Sequence, residues 1–329
     1  MRLAPTLFAL ALLSFALPAA AQLNAGFQVI QVPDPQGAPI EVGVWYPTDA
    51  PAPAPARGMG NIPVAQGAPL DGKGLPLVVM SHGNGGWFGG HYDTAITLAK
   101  AGFVVAALTH TGDNYRDQSR AIDMANRPRQ LHVLIDYMLG DWPEHQRLDA
   151  RRVGAFGFSS GGFTVLAAAG GEPDLHRIEA QCGAHPGHYE CQVAKRSPLP
   201  ANALSAHWIH DTRIRAIVSA APALGYTFKA ESLRDLKAPV QLWRAADDEI
   251  LPDPFHASAV KAALPASVDY RVVPKARHFD FLTPCDDYAR KNLAMLCNSA
   301  PDFDRAAFHH TFNAAVATFF TTKLALTHP

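Results

Sequence analysis

Short runs, most of them apolar throughout, alternate along this chain with segments in which apolar residues recur at helical spacing. The runs fall at residues 75–80, 103–108, 153–158, 214–220, 240–243 and 268–273. An earlier pair, 28–32 and 40–46, flanks the turn Pro33-Asp34-Pro35-Gln36-Gly37. Helices are predicted over 91–101, 130–139, 163–169, 257–264 and 303–326, and in the second of these Leu131, Leu134, Ile135 and Met138 mark one face. Strands that are apolar throughout are buried on both sides. Strand–helix alternation of this kind predicts an α/β fold, a doubly wound and mostly parallel sheet with helices on both faces. No internal repeat is visible.

Two stretches break the rhythm. Residues 50–74 are rich in Pro, Ala and Gly and read as a loop. Residues 171–212 carry two cysteines, several histidines and prolines and little periodicity, and are predicted to be an insertion shaped as a small cap.

The first residues stand apart. Arg2, the apolar run 3–17 and the small-residue end Ala19-Ala20-Ala21 before Gln22 read as a secretory signal peptide, residues 1–21. The run is too short for a bilayer span, which needs about 20 residues. The remaining 22–329 suits a single α/β domain. A formal net charge of −1 with no basic run gives no footprint for nucleic acid or an anionic membrane. Four cysteines in an exported chain point to local disulfides, Cys182 with Cys191 and Cys285 with Cys297. A rival reading takes Cys182, His185, His188 and Cys191 as zinc ligands. Nothing in the pattern fixes an oligomeric state.

The chemistry gathers around Gly157-Phe158-Ser159-Ser160-Gly161. A strand runs into this G-x-S-x-G and a small-residue helix follows, the context in which a serine is held at the tip of a sheet. A serine hydroxyl needs a base, and the base needs an orienting carboxylate. In doubly wound hydrolases these follow in the order Ser, acid, His at strand ends. Asp247, Asp248 and Glu249 directly follow the run 240–243, and His278 follows the run 268–273. His256, His309 and His310 fall on predicted helices. Ser81-His82-Gly83-Asn84-Gly85-Gly86 is a glycine-rich loop after an early strand, suited to donating a backbone N–H to a developing oxyanion. Asn84 and Ser160 are the predicted donors. A dinucleotide loop is excluded, because Phe88 stands where G-x-G-x-x-G requires glycine. Trp87 and Phe88, just past this loop, are candidates to line the substrate pocket.

The segment 75–86, Gly157-Phe158-Ser159-Ser160-Gly161, the loop 245–252 and Arg277-His278-Phe279 together resemble the dienelactone-hydrolase-like branch of the α/β-hydrolases. They also resemble the secreted platelet-activating-factor acetylhydrolases. The resemblance spans most of residues 40–325. It departs at the nucleophile, which is cysteine in dienelactone hydrolases and Ser159 here, and at the cysteine-bearing segments 171–212 and 282–302. In such hydrolases the acid is commonly followed four residues later by proline. Asp248 with Pro252 fits that spacing, so the resemblance implies Asp248 as the acid, with Asp247 in reserve. The implied protein is an exported serine hydrolase of small-molecule or lipid carboxylic esters, working without a cofactor or a metal. A lipase or lactone hydrolase is a narrower form of that reading. A serine peptidase, a zinc hydrolase and a non-catalytic binding protein on the same fold are its rivals.

Overall fold

Each predicted run forms a strand, and one short strand joins them. In chain order these are β1 (Asn24–Val32), β2 (Ile40–Thr48), β3 (Ala65–Gln66), β4 (Leu75–Ser81), β5 (Val104–Thr109), β6 (Leu148–Phe158), β7 (Ile214–Ala220), β8 (Val240–Ala245) and β9 (Asp269–Val273). The structure, a computed structural model, describes residues 23–51, 63–197, 207–265 and 267–325. The expected signal peptide, residues 1–21, lies outside these residues, as do parts of the 50–74 loop and of the 171–212 segment. Among the described residues the strands make one sheet in the order β3-β1-β2-β5-β4-β6-β7-β8-β9. From β5 to β9 all pairings are parallel, whereas β2 pairs antiparallel with both β1 and β5.

Successive side chains of a strand point to opposite faces, and the sheet has a core on each. Leu77 and Val79 of β4 enter one cluster, Val78 and Met80 the other. The first face is covered by α2 (Asn126–Gly140) and α3 (Ser160–Ala168), through Leu131, Leu134, Phe163 and Val165. The second is covered by α1 (Tyr92–Lys100) and a long C-terminal helix, Arg305–Lys323, through Ala95, Leu98, Phe312 and Val316. Helices on both faces are what the apolar strands required.

The structure departs from the sequence reading at several points. Helix α2 begins at Asn126 rather than at 130, because Pro128 falls in the first turn, where a missing N–H breaks no helical bond. Within the expected 50–74 loop, Ala65 and Gln66 pair with β1 as a short parallel strand. The 171–212 segment is not irregular throughout: it contains α4 (Arg177–Ala184) and α5 (Tyr189–Arg196). Both are too short to imprint a clear period, and the Cys182–Cys191 disulfide ties them together. Helix α6 (Ala257–Ala263) follows β8. Helices α7 (Asp287–Asn292) and α8 (Ala294–Cys297) lie in the loop closed by Cys285–Cys297, and the long C-terminal helix is α9. The described cysteines are all disulfide-bonded. With Cys182 and Cys191 bonded to each other, the zinc reading that needs both thiolates is excluded.

Candidate active site

The chain reverses direction at Ser159, between the end of β6 and the start of α3. Ser159 has φ 57° and ψ −120°, a conformation that L residues rarely adopt. The surrounding turn holds it there, since Ser159 N–H donates to Ala220 O at 2.9 Å and Ser159 O accepts from Ala223 N–H at 3.0 Å. The flanking glycines are dictated by space. A Cβ on Gly157 would lie 2.0 Å from Gly161 O, and one on Gly161 would lie 1.9 Å from Ser81 O. Backbone passes so close to backbone at this elbow that only glycine fits.

Three strand ends converge here. His278 Nε2 lies 3.0 Å from Ser159 Oγ, and His278 Nδ1 lies 2.8 Å from Asp248 Oδ2. Asp248 accepts at Nδ1, so that nitrogen carries the proton and Nε2 is left with a lone pair toward the serine hydroxyl. The other Asp248 oxygen accepts from the N–H groups of Ile250 and Leu251, at 3.1 and 2.7 Å. These bonds fix the rotamer. Asp247 is exposed, and its backbone N–H donates to Ala276 O at 3.0 Å. It does not face the imidazole. Adjacent residues at a strand end point to opposite sides, which separates the two aspartates.

The Ser81–Gly86 loop passes beside this elbow, with Asn84, Ser159 and Ser160 lining one cleft. Ser160 is the first residue of α3, where an N–H has no acceptor within the helix. Among the described residues no hydrogen bond takes up the Asn84 N–H. Asp113 anchors the loop, as its Oδ1 accepts from Gly85 N–H at 2.9 Å and from Asn84 Nδ2 at 2.7 Å. Asp113 is itself held by the buried Arg127, 2.5 Å away. The same guanidinium donates to His82 O and, at 3.0 Å, to Thr164 Oγ1. Thr164 Oγ1 in turn donates to Ser160 O at 2.7 Å. One buried cation thus joins the loop bearing Asn84 to the helix bearing Ser160.

His82 and His110 line the buried side of the loop. Burial, with the nearby Arg127 charge, lowers His82 to about 3 and holds His110 well below its ordinary range, so both rings are neutral. The tautomers follow from the partners. His82 accepts at Nε2 from His110 N–H, and His110 Nδ1–H donates to Gln130 Oε1, leaving its Nε2 to accept from Ser81 Oγ.

Trp87 and Phe88, candidates for the pocket, lie elsewhere. Phe88 turns into the sheet face against Trp45 and Phe27, with ring centroids 6.1 and 6.3 Å apart, and Trp87 packs on Phe88 and Tyr115. The cleft at Ser159 is walled instead by Ile122, Met124, Ile178, Val193 and Leu251, with Tyr189 and Glu190 as polar members. Helix α5 forms one wall, so the 171–212 segment borders the cleft. The second disulfide-closed segment braces the histidine loop: Arg305 donates to Asp280 Oδ1 at 3.0 Å and to Leu296 O at 2.9 Å, while Asp280 Oδ2 accepts from Arg277 N–H. Sequence reasoning missed Asp113, Arg127, Tyr189 and Asp280. No local motif marks them, because each acts through a partner that only the fold brings near.

Residues 55–132 match the model of a protein family described as platelet-activating factor acetylhydrolase, isoform II. The matched stretch holds the Ser81–Gly86 loop, Asp113 and Arg127; Ser159, Asp248 and His278 lie beyond it. No curated protein matches the chain. Among solved structures, the ferulic acid esterase from Streptomyces cinnamoneus is similar over 94% of this chain and 92% of that one, with a TM-score of 0.59 and 20% identity. The chain has the α/β-hydrolase fold, and the family match, over residues 55–132, supports its likeness to the platelet-activating-factor acetylhydrolases.

Proposed function

We propose that this chain is an exported serine hydrolase of carboxylic esters. One observation carries the reading: His278 is bonded on both sides, 2.8 Å from Asp248 and 3.0 Å from Ser159. Ser159 Oγ attacks the acyl carbonyl while its proton passes to His278 Nε2. Asp248 keeps the imidazole in the required tautomer and stabilises the imidazolium. The N–H groups of Asn84 and Ser160 receive the oxyanion, an interaction worth about 3–4 kcal/mol per donor in well-studied hydrolases. Collapse of the tetrahedral intermediate expels the alcohol, which takes the proton from His278. Water, deprotonated by the same nitrogen, then releases the acid and restores Ser159 Oγ–H.

The apolar walls of the cleft suit an ester with a substantial hydrocarbon portion. The family match and the esterase neighbour support ester hydrolysis, and a lipid or lactone ester is the narrower form of the proposal. Two disulfides support folding in an oxidising compartment, in keeping with residues 1–21 as a signal peptide. The test is labelling with a fluorophosphonate and turnover of acyl esters of increasing length. One adduct on Ser159, and no turnover by Ser159→Ala, is the expected result. Undiminished ester turnover by Ser159→Ala would overturn the proposal.

A further inference from the structure

On the proposed mechanism the Ser159 proton passes to His278 Nε2, and the imidazole becomes a cation in a place almost closed to water. His278 and Phe158, the residue before the serine, are each 2% exposed. Burial disfavours a charge unless its surroundings answer it. The edge of the ring is provided for, since Asp248 Oδ2 lies 2.8 Å from Nδ1. Hydrogen bonds reach only that edge, so the flat faces of the imidazole need another partner.

Phe158, the last residue of β6, supplies one. The Phe158 and His278 rings have centroids 4.8 Å apart and planes inclined at 34°. A cation within about 6 Å of an aromatic centroid is attracted by the negative π face, most strongly where water is excluded. Phe279 meets His278 differently, at 5.4 Å and 70°, edge to face. Phe281, at 6.4 Å and 23°, and His91, at 5.2 Å and 64°, pack on the Phe158 ring and fix it. An aliphatic side chain could fill this space but has no quadrupole.

The other charged and titratable groups near His278 are engaged elsewhere. Glu249 Oε2 accepts from the backbone N–H of His278 at 3.4 Å. Asp280 is paired with Arg305 at 3.0 Å. Burial lowers His91 to about 4 and His256 to about 3, so both rings are neutral at pH 7. Helix α8, packed on the histidine loop, carries no charged residue.

Building on the ester-hydrolase reading, we infer that Phe158 is a positioning residue acting through His278: its ring fixes the imidazole plane, and its π face stabilises the positive charge that the imidazole carries while the tetrahedral intermediate exists. Ser159 Oγ bonds to the acyl carbon, the proton moves from Oγ to His278 Nε2, and Phe158 exchanges no atom. The residue before the nucleophile thereby belongs to the proton-transfer machinery as well as to the turn.

The test replaces Phe158 with mono-, di- and trifluorinated phenylalanine by site-specific incorporation. Fluorine weakens the π face stepwise while ring shape and apolar character stay nearly the same, which separates charge stabilisation from packing. Turnover of 4-nitrophenyl esters is followed against pH. The His278 ring is also titrated by NMR in Ser159→Ala, its signal identified by its loss in His278→Gln. Without the π face the cation is less stable, the ring releases its proton at lower pH, and the acid limb of kcat/KM moves down. Across the series that limb and the NMR midpoint should both fall by about 1 pH unit, and kcat about 3- to 10-fold, in steps that follow the fluorine count. Midpoints constant within about 0.2 pH unit would overturn the inference whatever kcat does, and would leave Phe158 a packing residue. Absence of turnover with every ester would count against the hydrolase reading, and the NMR midpoints would then decide by themselves whether Phe158 supports the charge.

Discussion

Tyr189 donates its phenolic O–H to Asn84 Oδ1 at 2.7 Å, joining a disulfide-tied helix to the loop that borders Ser159. Asn84 is held from two sides, since its Nδ2 donates to Asp113. The side chain thus orients the backbone N–H that the proposed mechanism uses. Helix α5 contributes a wall of the cleft and also a strut to its floor.

Removing that strut alone should register in turnover. Tyr189→Phe keeps the ring and deletes one half-buried hydrogen bond, so the fold should lose only about 1 kcal/mol. Ester kcat is expected to fall about 3- to 10-fold, because the oxyanion donor loses one of its two supports. An unchanged kcat, measured with a thermal melt to check the fold, would show that the Asp113 bonds suffice.

Arg127 carries a heavier load. Lysine keeps the charge but cannot reach Asp113, His82 O and Thr164 together, because an ammonium lacks the planar fork. Arg127→Lys should lower kcat about 100-fold, by loosening both proposed oxyanion donors. It should also destabilise the protein by about 2–4 kcal/mol, since buried partners are left unpaired. Stopped-flow turnover and denaturant melts measure the two effects separately.

The two adjacent aspartates are separable by isosteric change. Asp248→Asn puts an amide at the His278 Nδ1 position and favours the wrong tautomer, with an expected loss of about 10² or more in kcat. Asp247→Asn alters an exposed side chain and should cost less than about tenfold. The reverse ranking would move the orienting role to Asp247.

Buried neutral histidines set the acid limit of stability. Burial lowers His82 to about 3, His91 to about 4 and His256 to about 3. Below their ordinary value of about 6.5 these rings take protons in the unfolded chain but not in the folded one. Their contribution is therefore complete above pH 6.5 and is lost as pH falls toward 4. Each histidine adds a slope of up to about 1.4 kcal/mol per pH unit. His91 packs edge-on against Phe156 and Phe158, with centroids 5.1 and 5.2 Å away. His91→Phe should remove one such slope, read as a shallower fall of denaturation midpoint between pH 6.5 and 4.5. An unaltered pH profile would place the acid sensitivity elsewhere.

The sheet could be read from the sequence because its central strands are largely apolar, and Ser159 because an elbow demands glycine at 157 and 161. Asp248 and His278 could be proposed because strand ends are legible. Trp87 and Phe88 misled because adjacency to a loop does not say which way a side chain turns, and the sheet face claimed Phe88. The short helices α4 and α5 were hidden, since a disulfide and tertiary packing hold them rather than a long amphipathic period. Arg127 and Tyr189 carried no signal at all. Their partners are distant in the chain, and only the closed fold gives them a role.

Strand order has a consequence for how the protein is made. Ser159 follows β6, whereas Asp248 and His278 follow β8 and β9, and β7 lies between β6 and β8 in the sheet. A nascent chain that has folded only through β6 has neither the Ala220 and Ala223 bonds that hold Ser159 nor His278 near it. The pair can meet only after three further parallel strands, β7, β8 and β9, have added to the growing edge, a slow event because each addition closes a long loop. On the proposed mechanism, reactivity would therefore arrive late and all at once, and a half-built chain would be chemically silent toward esters.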